Sequence, residues 1–172
     1  MNIDFILNDK SKKPKERISE LAEGIINRSI NIDELIEFAL KSKDPIKASC
    51  IEALEYASKE HPELIDRRAF DFAINSLQEK APRIKWESAK VIGNTVSLFA
   101  NDLDKALHNL LENTEHEGTV VRWSTAFALG EILKLKTSHS EDLLQTFETI
   151  IANEEKNSIK KIYLDAIKKS QK

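Results

Sequence analysis

Two segments decide the fold of this chain: RIKWESAKVIG at residues 83–93 and VVRWSTAFALG at residues 120–130. The second and third residues of each segment are a β-branched residue and a base, and such a pair recurs once towards each end of the chain. The four anchor pairs are Ile46-Lys47, Ile84-Lys85, Val121-Arg122 and Ile159-Lys160, separated by 38, 37 and 38 residues. A fixed period of this length predicts a stack of similar structural units.

Each unit carries one helical face. The residues four and eight positions after the anchors are Cys50 and Leu54, Ser88 and Ile92, Thr125 and Leu129, and Tyr163 and Ile167. This spacing places them on one side of an α-helix. A second apolar-periodic segment precedes each anchor, so every unit is predicted to be a helix pair. No glycine turn separates alternating apolar runs, and we therefore expect an all-α fold without sheets.

The boundary signals divide one domain, residues 1–172, into a cap and four pairs. Pro45 and Pro82 predict helix starts. Asn31 and Ser138 are each followed three residues later by a glutamate, as in a capping box. Residues 1–9 either fold back on the cap or stay mobile. The predicted units are the N-terminal cap 1–30 and the helix pairs 31–60, 62–99, 101–135 and 138–170.

The repeated segments resemble the second helix of HEAT repeats, which has an aliphatic residue and a base, then small residues, then an aliphatic residue before glycine. The likeness covers residues 31 to about 170 and is strongest in the middle two units. It implies a right-handed α/α superhelix of about nine helices, namely four HEAT-like pairs and an N-terminal capping helix. The second helices would line a concave face. This architecture carries many functions and implies no particular activity.

Composition narrows the class of protein. Hydrophobic residues make up 41% and charged residues 32% of 172, which excludes a disordered chain. The net charge of −3 gives no general attraction to nucleic acid or to an anionic membrane. No apolar run is long enough for a membrane span, and the single cysteine, Cys50, fits a reducing compartment. We expect a cytoplasmic protein, with Cys50 as a small core residue.

Two tryptophans mark a candidate partner-binding site. Trp86 and Trp123 stand two positions after their anchors, where a helical wheel points them away from the core. Phe127 follows one turn later. Aromatic patches of this kind are typical of contact sites, although the rings could instead lie against neighbouring helices and complete the core. The predicted polar surroundings are Lys90, Glu87, Asn94 and Glu131.

The anchor bases form a ladder at the repeat spacing. A ladder of cations along a groove could bind phosphate or an acidic peptide, and on that basis Lys85 and Arg122 join the predicted site, steering acidic groups of a partner. The resemblance to HEAT repeats implies a different role, in which each base pairs with a loop residue and ties neighbouring repeats together. The other bases of the ladder are Lys47 and Lys160.

Two enzyme classes with related folds serve as comparisons. The deoxyhypusine hydroxylases bind iron through His-Glu pairs two and three positions after the anchor, and these pairs are absent here. His116-Glu117 occurs once, in a loop. The alkylpurine DNA glycosylases present tryptophans and an aspartate from a similar groove, whereas Glu87 is the adjacent carboxylate in this chain. We therefore expect no metal, no cofactor and no catalytic residue.

The leading prediction is a non-catalytic scaffold that binds a protein or peptide along the concave groove, as a monomer or a weak homodimer. A nucleic-acid-binding protein related to the alkylpurine DNA glycosylases is the alternative. Membrane attachment is not expected.

Overall fold

The computed structural model describes all residues, 1–172, and contains ten α-helices and no β-strand. Short 3₁₀ turns follow the fourth and sixth helices, at Pro62–Leu64 and Val96–Phe99. The predicted all-α superhelix of stacked pairs is confirmed. The helices are α1 (Ile3–Asn8), α2 (Pro14–Ile26), α3 (Ile32–Lys41), α4 (Asp44–Glu60), α5 (Arg67–Ser76), α6 (Pro82–Thr95), α7 (Asp104–Glu112), α8 (Thr119–Lys134), α9 (Ser140–Asn153) and α10 (Asn157–Ser170).

The helices form two layers. The first layer holds α1, α3, α5, α7 and α9, and the second holds α2, α4, α6, α8 and α10. Consecutive second-layer helices pack closely on one another, whereas the first-layer helices touch one another only sparsely.

The cap contains two helices where the sequence predicted one. Residues 1–9 fold as the short helix α1, which turns Ile3, Ile6 and Leu7 into the core. The side chain of Asn2 accepts a hydrogen bond from the Phe5 amide and starts this helix. The expectation of about nine helices agrees with this architecture, and the additional helix is α1, whose apolar spacing is too short to predict a helix in isolation.

Helix starts follow local capping chemistry. Pro45 and Pro82 lie in the first turns of α4 and α6, as predicted. Asn31 caps α3 by accepting a hydrogen bond from the Asp33 amide at 2.8 Å. The predicted cap at Ser138 was wrong: the Ser140 amide donates to the Thr137 carbonyl, and this turn delays the start of α9 to Ser140.

The core lies between the layers along the whole stack. The predicted stripe is buried at Cys50, Ser88, Thr125 and Tyr163. The ring of Tyr163 meets Phe147 edge-on with ring centroids 4.7 Å apart, which fastens α10 to α9. None of the helices has the length and apolar character needed to cross a bilayer.

Candidate functional site

The exposed surface of α4, α6 and α8 is termed the second-helix face. On this face, equivalent positions of consecutive helices hold side chains of different chemical type. Along α6, positions 83, 87, 90 and 94 turn towards α4 and hold arginine, glutamate, lysine and asparagine. Along α8, the positions 37 residues later hold valine, serine, phenylalanine and glutamate, and the phenylalanine, Phe127, packs against Gly93 of α6. The first set forms a charged contact between helices, and the second an aromatic one.

The contact between α6 and α8, termed the aromatic junction, consists of Gly93 on α6 and of Trp123 and Phe127 on α8. Trp123 is 42% exposed. Its indole lies nearly parallel to the ring of Phe127, with 6.3 Å between centroids. The Phe127 ring covers Gly93 of α6 so closely that a β-carbon at Gly93 would stand 2.4 Å from its Cε1. Glycine at this position therefore makes room for an aromatic ring between α6 and α8.

Trp86 is half-buried and takes a different environment from Trp123. Its indole N–H donates to Oε1 of Glu87 at 2.7 Å, and the two tryptophan rings do not stack on each other. Neither indole is sealed between helices. Trp123 is exposed and Trp86 is half-buried, and their role in binding a partner stays a prediction.

The contact between α4 and α6, termed the polar junction, is built from ionised side chains. Lys90 Nζ lies 2.9 Å from Oε2 of Glu87 and 3.7 Å from Oε2 of Glu55. Arg83 pairs with Glu52 one turn away. The members of the polar junction are Glu52, Glu55, Arg83, Glu87 and Lys90.

Burial changes the acid–base behaviour of this junction. Desolvation raises the pKa of Glu87, and the neighbouring Lys90 offsets only part of that rise. For Lys90 itself, desolvation acts to lower the pKa, but the hydrogen bond and charge of Glu87 together with the charges of Glu55 and Glu52 outweigh it, and the pKa is raised. Lys90 is thus held as a cation between carboxylates and is not free to attract acidic groups.

Asn94 and Glu131, the remaining polar residues of the predicted site, are also engaged within the chain. The side-chain amide of Asn94 donates to the Glu55 carbonyl at 3.3 Å and to Oγ of Ser58 at 3.1 Å, which ties α6 to α4. Glu131 pairs with Lys134 on its own helix. Both residues lie beside the aromatic and polar junctions without joining them.

Three bases of the ladder reach into the following repeat. Lys47 pairs with Glu79. Lys85 Nζ donates to the Leu77 carbonyl at 2.8 Å and to Oδ1 of Asn113 at 2.9 Å. Desolvation lowers the pKa of Lys85. These contacts lie at the ends of the first helices, away from the second-helix face.

Arg122 makes the most complete ladder contact. Its Nε and Nη2 donate to the two carboxylate oxygens of Glu154 at 2.9 and 3.2 Å. Its Nη1 donates to the carbonyls of His116 and Glu117. The contacts of Lys85 and Arg122 favour the role of tying repeats together, and a partner contact for either residue stays a prediction.

The four histidines do not form a cluster. His116 accepts a hydrogen bond from the Gly118 amide through Nδ1, and the other three pair singly with carboxylates near helix ends. No three His, Cys, Asp or Glu side chains are placed to hold a metal ion together. Cys50 is fully buried, and desolvation raises its pKa to about 12.

The sequence places Glu52 and Glu87 on one face as acidic counterparts of Arg83, but sequence reasoning missed Glu55 as a member of this charged cluster. Glu55 lies on α4, one repeat before Lys90, with which it pairs. The available signal was the charged run at positions 83, 87 and 90, because these positions face the preceding helix and require partners there.

No family model matches the chain, and no curated protein is similar to it in sequence. Solved structures are similar in fold. A designed armadillo repeat protein in complex with the peptide (KR)4 superposes with a TM-score of 0.69 at 12% identity, over 96% of this chain and 78% of that one. The chain has the fold of the armadillo and HEAT-like repeat proteins.

Two further structures extend this comparison. The complex of CpcE and CpcF of phycocyanin lyase from Nostoc sp. PCC7120 gives a TM-score of 0.73 at 14% identity, covering 96% of this chain and 97% of that one. A computationally designed armadillo repeat protein for modular peptide recognition gives 0.65 at 10% identity, over 97% and 79%. At these identities the likeness concerns the fold alone.

Proposed function

We propose that this armadillo/HEAT-like solenoid is a non-catalytic scaffold that binds a protein or peptide segment along its second-helix face. The observation that carries the proposal is the exposed stack of Trp123 on Phe127. A large aromatic surface left open to water on a rigid helical layer stabilises a complex when a partner covers it. Trp86, on the neighbouring helix, extends this surface towards α4.

The spacing of the helices suits an extended segment. Packed helices lie about 8–10 Å apart, and an extended chain advances roughly 3.3 Å per residue. A partner segment would therefore place side chains two or three residues apart on consecutive repeats. Two of the structures with the same fold are designed peptide binders, which supports a peptide as the occupant of this face.

The polar surroundings differ from the set expected from the sequence. Glu87, Lys90, Asn94 and Glu131 remain part of the proposed site as its border. Lys85 and Arg122 are engaged by the next repeat, and their predicted contact with a partner is not required for this proposal. The buried carboxylates of the polar junction repel phosphate, which counts against the nucleic-acid alternative.

The experiment is affinity capture from native lysate with the tagged chain and with the double variant Trp86→Ala/Trp123→Ala. We expect the variant to lose at least about 30-fold in capture of specific partners while helicity is kept. Leu164→Ala removes an exposed apolar side chain on α10 and serves as the matched control. Equal capture by the double variant would refute the site. A collapse of its melting temperature would show that the indoles belong to the core.

A further inference from the structure

A small cavity lies between the first-layer helices α3 and α5, outside the second-helix face, and is termed the first-helix cavity. Its volume is about 270 Å³, which is below the roughly 300–1,000 Å³ of sites for drug-sized ligands. The residues that line it include three apolar and three polar side chains: Ile36, Leu40, Phe72, Lys47, Ser76 and Glu79. The size suits a small molecule.

The hydroxyl of Ser76 has no hydrogen-bond partner within the chain. Ser76 is only 1% exposed, and its Oγ neither donates nor accepts a hydrogen bond. Buried hydroxyls are normally paired, because an unpaired one keeps the cost of leaving water. Since Ser76 lines the first-helix cavity, a molecule bound there with a polar group would supply the contact that the chain does not.

The ammonium of Lys47 has hydrogen-bond donors to spare at the same cavity. Its side chain is 10% exposed, and one of its three N–H groups donates to Glu79. The ammonium also lies 5.6 Å from the centroid of the Phe72 ring, which stabilises the cation but offers no oxygen. A cation of this kind binds a carboxylate oxygen more strongly than a neutral acceptor. The cavity therefore favours a ligand with a carboxylate.

The carboxylate of Glu79 can give up its place beside Lys47. The Glu79 side chain is 41% exposed, and the contact with Lys47 is its one ion pair. Asp71, the other carboxylate at the cavity, is held by Arg67 at 3.0 Å. Because Glu79 can turn towards water while the nearly buried Lys47 cannot follow it, an incoming carboxylate can replace it and keep the charge of the lysine balanced.

The apolar residues of the cavity select the rest of the ligand. Ile36 and Phe72 are nearly buried, at 2% and 7% exposed, whereas Leu40 is 56% exposed. A short hydrocarbon chain in the cavity would cover Leu40 and remove apolar surface from water on both molecules. The small volume restricts this chain to a few carbon atoms.

We propose that the first-helix cavity binds a small organic acid with a short apolar chain. The carboxylate of this acid accepts hydrogen bonds from Lys47 and Ser76 in place of Glu79, and its chain covers Leu40 and Phe72. The site lies outside the second-helix face, so it adds a ligand to the protein and does not depend on the proposed scaffold function.

A titration followed by amide chemical shifts in nuclear magnetic resonance spectra tests the ligand class with three compounds. Hexanoate has the carboxylate and the apolar chain, hexanamide has the same chain with a neutral head group, and acetate has the carboxylate without the chain. We expect hexanoate to bind at least about tenfold more tightly than either, because the charge-assisted bond and the apolar contact act together. The shifts should concentrate on α3, α5 and the start of α4.

Four variants locate the carboxylate. Lys47→Met removes the ammonium, keeps the apolar stem and should weaken hexanoate binding at least about tenfold. Ser76→Ala should weaken it about threefold at an unchanged melting temperature, because the hydroxyl has no partner to lose. Glu79→Gln removes the competing carboxylate and should strengthen binding about threefold. Lys43→Met alters the net charge as Lys47→Met does, at the exposed residue before α4, and should have no effect.

Each result bears on the inference. Hexanoate binding that Lys47→Met and Ser76→Ala weaken and that Glu79→Gln strengthens would support the site. Equal affinity for hexanamide, or equal weakening by Lys43→Met, would reduce the interaction to apolar contact or to net charge and overturn it. Shifts elsewhere, or none at millimolar hexanoate, would also overturn it, while the tryptophan variants judge the scaffold function separately. If Lys47→Met unfolds, Ser76→Ala and Glu79→Gln still decide, because their expected effects have opposite signs.

Discussion

Arg122 of the third helix pair forms a bidentate ion pair with Glu154 of the fourth: Nε donates to Oε2 at 2.9 Å and Nη2 donates to Oε1 at 3.2 Å. The Glu154 side chain is only 4% exposed. Burial acts to raise the pKa of Glu154, but the hydrogen bond and charge of Arg122 together with backbone hydrogen bonds from Lys156 and Glu155 outweigh it, and the pKa is lowered. The pair therefore stabilises the last junction of the stack at neutral pH.

Replacing Arg122 by alanine should destabilise the fold by about 3 kcal/mol, because it leaves a buried carboxylate without its cation. The corresponding fall in melting temperature is roughly 6–12 °C for a chain of this size. Thermal unfolding followed by circular dichroism measures it.

Lys160 provides the matched control for Arg122. It occupies the same position of the ladder in the last repeat, and its ammonium has no partner in the chain. Lys160→Ala should change stability by no more than about 0.5 kcal/mol. A comparable loss in both variants would show that the base acts through helix formation and not through contact with the next repeat.

The bases of the ladder could be read from the sequence, but their acceptors could not. The bases recur at nearly constant spacing because they sit at a fixed position of a fixed helix. The acceptors Glu79, Asn113 and Glu154 follow their bases by 32, 28 and 32 residues, because the loops between the helices differ in length. The acceptor is a carboxylate in two of these contacts and a side-chain amide in the third, so neither the spacing nor the residue type identifies the acceptors in the sequence.

Gly93→Ala should disturb the aromatic junction. The new β-carbon would overlap the Phe127 ring, which must swing away from Trp123. We expect a net loss of about 1 kcal/mol, since overpacking outweighs the gain in helix propensity, together with a shift in tryptophan emission. The double variant Gly93→Ala/Phe127→Leu frees the space and should recover stability. A higher melting temperature for Gly93→Ala with unchanged emission would contradict the close packing.

The helical wheel placed Trp86 and Trp123 on the side of their helices that faces away from the core, because it needs only one helix and the direction of its core face. Trp123 is exposed in the structure, and Trp86 is half-buried. A helical wheel could not predict the polar junction. Glu55 and Lys90 meet across two helices, and the pairing depends on how deeply α4 and α6 interlock. A helical wheel also gives no measure of how deeply a side chain is buried. It could therefore not show that Glu87 is almost fully buried, whereas Trp123, which follows Thr119 by four positions in α8, is exposed.

Cys50 should resist alkylation until the chain unfolds. Its side chain has no exposed surface, and the raised pKa keeps it a thiol at neutral pH. Labelling by iodoacetamide in native buffer should be at least roughly 10³-fold slower than in denaturant, because only the rare unfolded state reacts. Rapid labelling of the native protein would show that α4 opens locally.

Glu87→Gln should stabilise the fold at neutral pH. The folded pKa of Glu87 is raised above the ordinary value of 4.5 by desolvation, so the folded chain binds the proton more tightly than the unfolded chain. The charged form is therefore destabilising. That penalty is absent below about pH 4.5, grows as the pH rises from there to the raised folded pKa, and is constant above it.

Urea unfolding at a series of pH values checks this behaviour. The variant and the natural protein should have equal free energies of unfolding near pH 4. At pH 7 the variant should have the larger free energy of unfolding, and this difference should begin to appear as the pH rises above 4.5. Glu60→Gln, exposed at the end of α4, should show no such difference. A variant that is less stable at pH 7 would mean that the ion pair with Lys90 outweighs burial.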